Sequence, residues 1–218
     1  MRLALASLAL IAALTGCGGS QPEPKAALPV TETPAEARVT ANIIAVDLDG
    51  RPLANMMPIA TKLPNAFDPP VVRGPLTRED GCGSLGIPSA EHLYLRAWDP
   101  EIKMFANNYY EVLPGSEMDP APLKVTMVPG ASLAAQLLTR EGKLASNVAV
   151  DLKMFHPTEG VWWPSRADTD QQGIVRFSSV PAGRYKVRLE TASGAHFELD
   201  NLELPPGAAK DLGSITLE

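Results

Sequence analysis

The chain is short of the residues on which several classes of protein depend. Two cysteines are too few for a disulfide scaffold. The three histidines are far apart and lack both the close spacing and the HExxH pattern of a metal site. The 19 basic residues are outnumbered by 25 acidic ones and form no cluster. This balance argues against nucleic-acid binding, which relies on neutralising phosphates, and against docking on anionic lipid by charge.

Long apolar runs are also scarce, and the longest one lies at the amino terminus. It extends from Leu3 to Leu14, directly after Arg2, and is too short to remain as a membrane span. A positive start, an apolar stretch and small residues after it are typical of a cleavable secretory signal. The alternatives are a secreted protein with an incidental Cys17, or a cytosolic protein with an apolar amino-terminal helix.

The end of this segment, Leu14-Thr15-Gly16-Cys17, resembles the lipobox of bacterial lipoproteins. The resemblance implies a signal peptide over residues 1–16, cleavage between Gly16 and Cys17, and a diacylglycerol and an acyl chain such as palmitate on Cys17. Two or three chains anchor a protein durably, so we expect a lipid-anchored membrane protein of the cell envelope. In a cell with two membranes, Gly18 in place of aspartate favours the outer membrane or the cell surface.

Residues 17–37 form the next segment, with prolines at positions 22, 24, 29 and 34 and almost no large apolar side chain. This composition predicts an extended, disordered tether behind the lipidated cysteine. Once Cys17 is acylated, Cys82 is the remaining thiol. A redox role for Cys82 would need a mixed or intermolecular disulfide, and the alternative is a cysteine that a turn merely tolerates.

From residue 38 the chain repeats itself at an offset of 92 residues. The corresponding positions are Gly50 and Gly142, Ala54-Asn55 and Ser146-Asn147, Asp80-Gly81 and Gln172-Gly173, and Leu95-Arg96 and Val187-Arg188. A repeat of this length predicts two domains, over residues 38–128 and 129–218, of which the first is the more divergent.

Both units are predicted to be β. Apolar residues alternate with polar ones over 148–154 and again over 185–190, and glycine, proline, asparagine and aspartate separate such runs. No long amphipathic helix is indicated. Short strands at close turn spacing predict an all-β chain with two tandem Ig-like or transthyretin-like β-sandwiches.

The second unit resembles the carboxypeptidase regulatory-like family, also called transthyretin-like or prealbumin-like. The resemblance is carried by residues 138–148, by Thr169 to Phe177 with its turn glycine Gly173, and by Val180-Pro181-Ala182-Gly183-Arg184-Tyr185. It implies a β-sandwich that serves as a rigid spacer, folding partner or binding module. The first unit departs from the pattern with a proline-rich insert over residues 63–75, which leaves its strand order open.

Two aromatic pairs are the candidate ligand-binding residues, Trp162 with Trp163 and Tyr109 with Tyr110. Neighbours on a strand point to opposite faces, so one ring of each pair is expected in the core and the other on the surface. Exposed aromatic rings stack on sugars and anchor protein partners equally well. The alternative is that both pairs serve packing only.

The sequence shows no catalytic constellation, and no cofactor or metal is predicted. His92 corresponds to Arg184 and is expected to face solvent. Asp47 with Asp49, and Asp168 with Asp170, are too few oxygen ligands for a calcium loop and are interpreted as turn acids. An enzyme that uses His156 or His196 remains an alternative, which requires a carboxylate beside one of them.

These observations predict a non-enzymatic envelope lipoprotein with a structural or protein-binding role. The alternative is a glycan-binding surface lipoprotein that uses the exposed aromatic residues of the second unit. The expected partners are the membrane, through the lipid anchor, and an unknown envelope protein or glycan.

Overall fold

The computed structural model describes residues 37–65, 68–158 and 160–218, apart from the side chains of Val161 and Trp162. The signal peptide, the cleavage site at Gly16 and Cys17, and the tether up to residue 36 lie outside the described residues, so the predictions for them stay predictions. Every regular element in the described ranges is a β-strand, which confirms the all-β prediction. None of the described residues forms a helix that could cross a membrane.

The first half of the described chain contains eight strands: β1 (Arg38–Val46), β2 (Met57–Thr61), β3 (Val72–Arg73), β4 (Cys82–Pro88), β5 (Leu93–Trp98), β6 (Met104–Ala106), β7 (Tyr110–Val112) and β8 (Leu123–Pro129). They form one sheet in the order β4-β1-β8-β6 and another in the order β3-β2-β5-β7. Strand β1 is antiparallel to β4 and parallel to β8. Alternate side chains of β1 and β5 are buried in the core, among them Ile43 and Leu95.

The second half contains seven strands: β9 (Ala131–Leu138), β10 (Ala149–His156), β11 (Gly160–Asp168), β12 (Ile174–Val180), β13 (Gly183–Thr191), β14 (His196–Leu204) and β15 (Ala209–Thr216). The sheet orders are β11-β10-β13-β14 and β12-β9-β15. Strand β9 is antiparallel to β12 and parallel to β15. The apolar positions that alternate in the sequence are buried as predicted, including Leu152 and Met154 of β10 and Val187 and Leu189 of β13.

The strand order of the two halves is the same. The order β4-β1-β8 matches β12-β9-β15, and β3-β2-β5-β7 matches β11-β10-β13-β14. Strands β4 and β12 correspond residue for residue at the offset of 92. The proline-rich insert over residues 63–75 begins after β2 and contains the short strand β3, which takes the place that β11 has in the second half. The strand order of the first half is therefore unchanged. The division into domains at residues 128 and 129 stays a prediction.

The repeat extends to the backbone conformation of the turns. Asn55 and Asn147 both have positive φ, 64° and 54°. Gly81 and Gly173 have φ of 75° and 70°. Left-handed conformations favour glycine and, among the other residues, asparagine, which explains why these residue types recur at the offset. At these turns the backbone conformation thus accounts for the residues that the two halves share.

A buried threonine closes the same corner in each half. The Thr77 hydroxyl donates to the Leu53 carbonyl at 2.7 Å and accepts from the Met56 amide at 3.0 Å. The Thr169 hydroxyl donates to the Ala145 carbonyl at 2.6 Å and accepts from the backbone amide at position 148 at 2.9 Å. Both threonines are 3% exposed, so each hydroxyl satisfies backbone groups that water cannot reach.

Replacing Thr169 by valine is expected to lower the free energy of unfolding by about 1–3 kcal/mol, because the shape is kept while buried backbone groups lose their partner. Urea denaturation followed by circular dichroism measures the change. Thr216→Val, at an exposed position of β15, is the matched control and is expected to be nearly neutral. Equal costs for the two variants would contradict the role assigned to the buried hydroxyl.

Candidate functional site

Trp163 lies where the two halves meet. Strand β11 pairs it with Met154 of β10, and its side chain is 9% exposed. The centroid of its ring is 5.0 Å from that of Phe105 in β6, with the two rings nearly perpendicular, and 6.0 Å from that of Trp98 in β5. Phe105 belongs to the buried core cluster of the second half, and Trp98 packs against that cluster. Trp98, Phe105 and Trp163 form what we call the aromatic junction.

The burial of Trp163 contradicts the prediction that it is a ligand-binding residue. A ring that is packed edge to face against Phe105 inside the core has no free face for a sugar or a partner protein, so Trp163 is removed from the candidate ligand-binding residues. The side chain of Trp162 lies outside the described residues, and its role in ligand binding stays a prediction.

The two rings of the tyrosine pair differ in exposure, but neither is fully buried in the core. Tyr109 is 38% exposed, and its ring meets that of Tyr94 edge to face at 5.4 Å. Tyr110 is half-buried against the core of the first half, and its hydroxyl donates to the Lys124 carbonyl at 2.8 Å. Tyr109 is therefore the ring of this pair that a ligand can reach.

Arg96 is a buried cation beside Tyr109. It is 5% exposed, and its guanidinium carbon lies 5.8 Å from the centroid of the Tyr109 ring. Its Nη2 donates to the Thr61 hydroxyl at 3.4 Å and to the Leu63 carbonyl at 3.2 Å. Leu63 belongs to the proline-rich insert, so Arg96 fastens the start of the insert to the outer face of β5.

Arg188 occupies the corresponding position in the second half, and its surroundings differ. It is half-exposed and pairs with Glu190 and Glu198. The halves differ here because no insert contacts Arg188, whereas the insert contacts Arg96.

A cavity of about 250 Å³ lies between the two halves, next to the aromatic junction, and we call it the junction cavity. From the first half it is lined by residues that include Arg96, Asn107 and Tyr109. From the second half it is lined by residues that include His156, Arg184 and Tyr185. The described lining residues include no aspartate or glutamate. The described lining residues with a permanent charge are Arg96 and Arg184.

The three histidines are separated in the structure. His92 is exposed immediately before β5, which confirms that it faces solvent, and its Nε2 is 2.8 Å from Glu111 Oε1. His156 lines the junction cavity, and its ring packs against Tyr185 with a centroid distance of 6.3 Å. His196 shares a cavity of about 220 Å³ with Glu198 and Glu218, and no hydrogen bond between described residues joins it to either carboxylate.

The acidic pairs considered for calcium use their oxygens within turns. Asp47 Oδ1 accepts from the amides of Asp49 and Arg51 at 2.9 and 2.8 Å. Asp170 Oδ1 accepts from two amides of its own turn, at positions 172 and 174, at 3.0 and 2.9 Å. Within the described ranges, no group of three or more histidine, cysteine or acidic side chains is arranged to hold a metal ion. The observed contacts are those of ordinary turn acids.

Cys82 begins β4 and is half-buried, with its Sγ 3.8 Å from the Asp80 carbonyl. The adjoining turn carries a carboxylate, since Asp80 Oδ1 accepts from the Cys82 amide at 2.9 Å. This amide, together with the Arg78 guanidinium, holds the pKa of Asp80 below its usual range. The redox hypothesis for the thiol stays a prediction.

The turn of Asp170 predicts a dependence of stability on pH. The Ile174 amide, and then the Arg176 guanidinium, lower the pKa of Asp170. A carboxyl whose pKa is lower in the folded state contributes stability above its unfolded pKa of about 4, and this contribution is lost as the pH falls through the folded pKa. We therefore expect the stability difference between wild type and Asp170→Asn to shrink as the pH falls below about 4.

Thermal unfolding of both proteins between about pH 7 and pH 2 measures this difference. Asp168→Asn, at an exposed position of the same segment, is the control. A wild-type advantage over Asp170→Asn that stays constant down to the lowest pH would contradict the assignment.

Three residues that shape this region escaped the sequence analysis: Arg96, Trp98 and Phe105. Arg96 and Arg188 occupy equivalent positions of the repeat. The sequence alone did not show that the insert contacts Arg96. The insert itself was the available signal, because it is present in the first half alone and so marks where the surroundings of equivalent residues can differ.

Comparison with known proteins gives structural matches only; no family model and no curated protein matches the chain. The Bacillus anthracis TIE protein is 17% identical over 82% of this chain and 34% of its own, with a TM-score of 0.31. A streptococcal ancillary pilin is 11% identical over 82% and 63%, with a TM-score of 0.38. The minor pilin GBS52 of Streptococcus agalactiae is 11% identical over 82% and 94%, with a TM-score of 0.42. The chain thus spans about a third of the first of these proteins and under two thirds of the second.

Proposed function

We propose that the chain is a lipid-anchored envelope lipoprotein whose tandem β-sandwiches have a non-catalytic structural or protein-binding role. The lipobox-like sequence ending at Cys17 supports the anchor, and the motifs from Thr169 to Tyr185 support a carboxypeptidase regulatory-like second domain. An outer-membrane or cell-surface location follows from the same signal and from Gly18.

The observation that carries the structural role is the aromatic junction. Linked domains move relative to each other unless their interface is large and apolar. Here Phe105 of the first half is 6% exposed within the core of the second half, and Trp98 packs against the same cluster. A shared core of this kind resists bending between the halves, which suits a spacer or scaffold.

The lipid anchor is tested by labelling cells with radioactive palmitate. Wild type is expected to incorporate the label and to sediment with membranes, while Cys17→Ser loses both properties. Cys82→Ser is the matched control, because it removes the other thiol of the chain and should leave labelling unchanged. Label that persists in Cys17→Ser would overturn the proposed anchor.

The protein-binding role is tested by crosslinking in the cells that make the protein. A photoreactive residue in place of the exposed Leu113, which is 54% exposed, is expected to capture a discrete envelope protein. The same photoreactive residue in place of Leu144, which is 47% exposed in the second half, shows whether the partner contacts the first or the second half. The absence of any discrete adduct at either position would count against a protein partner on these surfaces.

Glycan binding is the second candidate function, and the exposed ring of Tyr109 favours it. Retention of the protein on envelope polysaccharide is expected to fall in Tyr109→Ala and in Trp162→Ala. Tyr110→Phe, which removes only the hydroxyl bonded to Lys124, is the control and should be retained like wild type. Retention that none of these variants changes would remove the aromatic residues from the candidate.

A further inference from the structure

We infer that the first half binds a small carboxylic acid with an apolar chain. The site is a cavity of about 320 Å³ between strands β2 and β5 and the proline-rich insert, and we call it the insert cavity. Arg73 is assigned to the carboxylate, and Met57 and Trp98 are assigned to the chain. The inference goes beyond the proposed function and does not depend on the anchor, the protein partner or the glycan candidate.

The floor of the insert cavity is apolar, unlike the corresponding face of the second half. Trp98 lies opposite Met57 in the pairing of β5 with β2, and neither belongs to the buried core of the first half. The offset of 92 residues places Glu190 at the position of Trp98. Glu190 lies opposite Asp151 and forms ion pairs with two basic side chains. A charged face of the second half thus corresponds to the cavity floor of the first.

The walls of the insert cavity are also largely apolar. Ile59 extends the floor and is 4% exposed. Two prolines of the insert, Pro69 and Pro70, line the cavity together with Pro100 in the turn after β5. The volume lies at the lower end of the range for ligand pockets, roughly 300–1,000 Å³. Such a cavity suits a short aliphatic chain, whose burial the hydrophobic effect favours.

Arg73 adds a positive charge to this apolar lining. It lies opposite Ile59 in the pairing of β3 with β2, so its side chain is on the same face of the sheet as the cavity floor. Arg73 is exposed, and no described residue forms an ion pair or a hydrogen bond with its guanidinium. Guanidinium groups bind carboxylates through paired hydrogen bonds, so a carboxylate matches this position.

Asp68 is the acidic residue among the described lining residues, and its carboxylate is bonded to the backbone. Its Oδ2 accepts from the Lys62 amide at 2.8 Å and from the Leu63 amide at 3.1 Å. These bonds fix the start of the insert and direct this oxygen towards residues 62 and 63. Arg73 is therefore the lining charge that a ligand can pair with, and its sign selects an anion.

Titration calorimetry of the full-length protein tests the site with octanoate, octanol, octylammonium and acetate as separate probes. Octanoate is expected to bind saturably. Octanol and octylammonium should bind at least about tenfold more weakly, because they lack the charge-assisted contact with Arg73. Acetate should bind at least about a hundredfold more weakly, because it has no chain to bury.

Four results of this titration would overturn the inference. Octanol that binds as tightly as octanoate would remove the role of Arg73. Octylammonium that binds more tightly would assign the selection of charge to Asp68. Acetate that binds as tightly would show an adventitious ion only, and octanoate that does not saturate would show that the cavity takes no such ligand.

Variants locate the binding. Arg73→Glu is expected to weaken octanoate binding at least about tenfold and to leave octanol binding unchanged, which also shows that the apolar part of the site is intact. Met57→Asp should weaken the binding of both probes. Arg140→Glu, which reverses another exposed arginine on the hairpin after β9, is the matched control and should bind octanoate like wild type.

Octanoate binding that Arg73→Glu leaves intact would overturn the site at the insert cavity. These measurements do not use palmitate labelling, crosslinking or polysaccharide retention. The inference and the proposed function can therefore fail separately.

Discussion

Replacing Trp163 by alanine is expected to lower the free energy of unfolding by about 3–5 kcal/mol, which is the usual cost of removing a buried tryptophan. For a chain of this size, the midpoint of thermal unfolding should fall by on the order of 10 °C. The physical reason is the position of the ring. It contacts both Phe105 and Trp98, so its removal leaves a void where the cores of the two halves join.

Urea denaturation measures the change in Trp163→Ala, and two further variants serve as comparisons. Trp163→Phe keeps an aromatic ring against Phe105 and is expected to lose less than half as much stability. Tyr109→Ala removes a ring that is 38% exposed, and it is expected to cost little. If Trp163→Ala were as mild as Tyr109→Ala, the aromatic junction would not be a core and the argument for a rigid pair of sandwiches would fail.

This prediction also decides how glycan binding is to be tested. A loss of binding in Trp163→Ala would not distinguish a missing contact from a weakened fold, because the side chain is part of the core. Tyr109 is the better position, since its ring is 38% exposed and does not belong to that core.

The alternating strands and the repeated turns could be predicted because they depend on local rules. Val187 and Leu189 lie two apart on one strand and face one core, as period two requires. Gly81 and Gly173 recur because their turns need positive φ, which the offset of 92 residues makes visible. These features are fixed by near neighbours in the chain.

The aromatic junction could not be predicted, because a β-bulge changes the local pattern. Strand β10 pairs Met154 with Trp163 and the next residue, Phe155, with Val161. Position 162 is therefore the extra residue of the bulge, where simple alternation does not apply. The sequence predicted that one of the two tryptophans would be buried, and the register of β10 and β11 determines that Trp163 is that residue.

Arg96 was equally beyond a sequence argument, since its burial depends on the insert. The equivalent Arg188 remains half-exposed and paired with acids. What differs is a non-local contact, the bond from Arg96 to the Leu63 carbonyl. Contacts of this kind, and the junction cavity between the two halves, cannot be predicted without the three-dimensional structure.

Replacing Gly81 by alanine is the second change with a large expected effect, a loss of about 3 kcal/mol of unfolding free energy. Two costs combine at this position. An L-residue in the left-handed region costs about 1–2 kcal/mol, and forcing an extra carbon into a packed position adds about 1–3 kcal/mol. The φ of Gly81 is 75°, and a Cβ there would lie 2.5 Å from the Ala45 carbonyl oxygen, which belongs to β1.

Gly50 separates the two costs. Its φ of 81° is similar, but the nearest atom to an added Cβ is the flexible Lys124 Nζ at 4.0 Å. Gly50→Ala should therefore show the conformational cost alone, about 1–2 kcal/mol. Gly173→Ala should fall between the two, because its Cβ would lie 3.0 Å from the Leu137 carbonyl oxygen.

The order of the three losses of unfolding free energy also tests whether equivalent turns of the repeat have equivalent packing. Gly81 and Gly173 occupy equivalent turns, so both variants should exceed Gly50→Ala in the same denaturation experiment. Equal costs for Gly81→Ala and Gly50→Ala would mean that β1 yields to the added carbon. In that case the close contact between the Gly81 turn and β1 would not contribute to the stability of the first half.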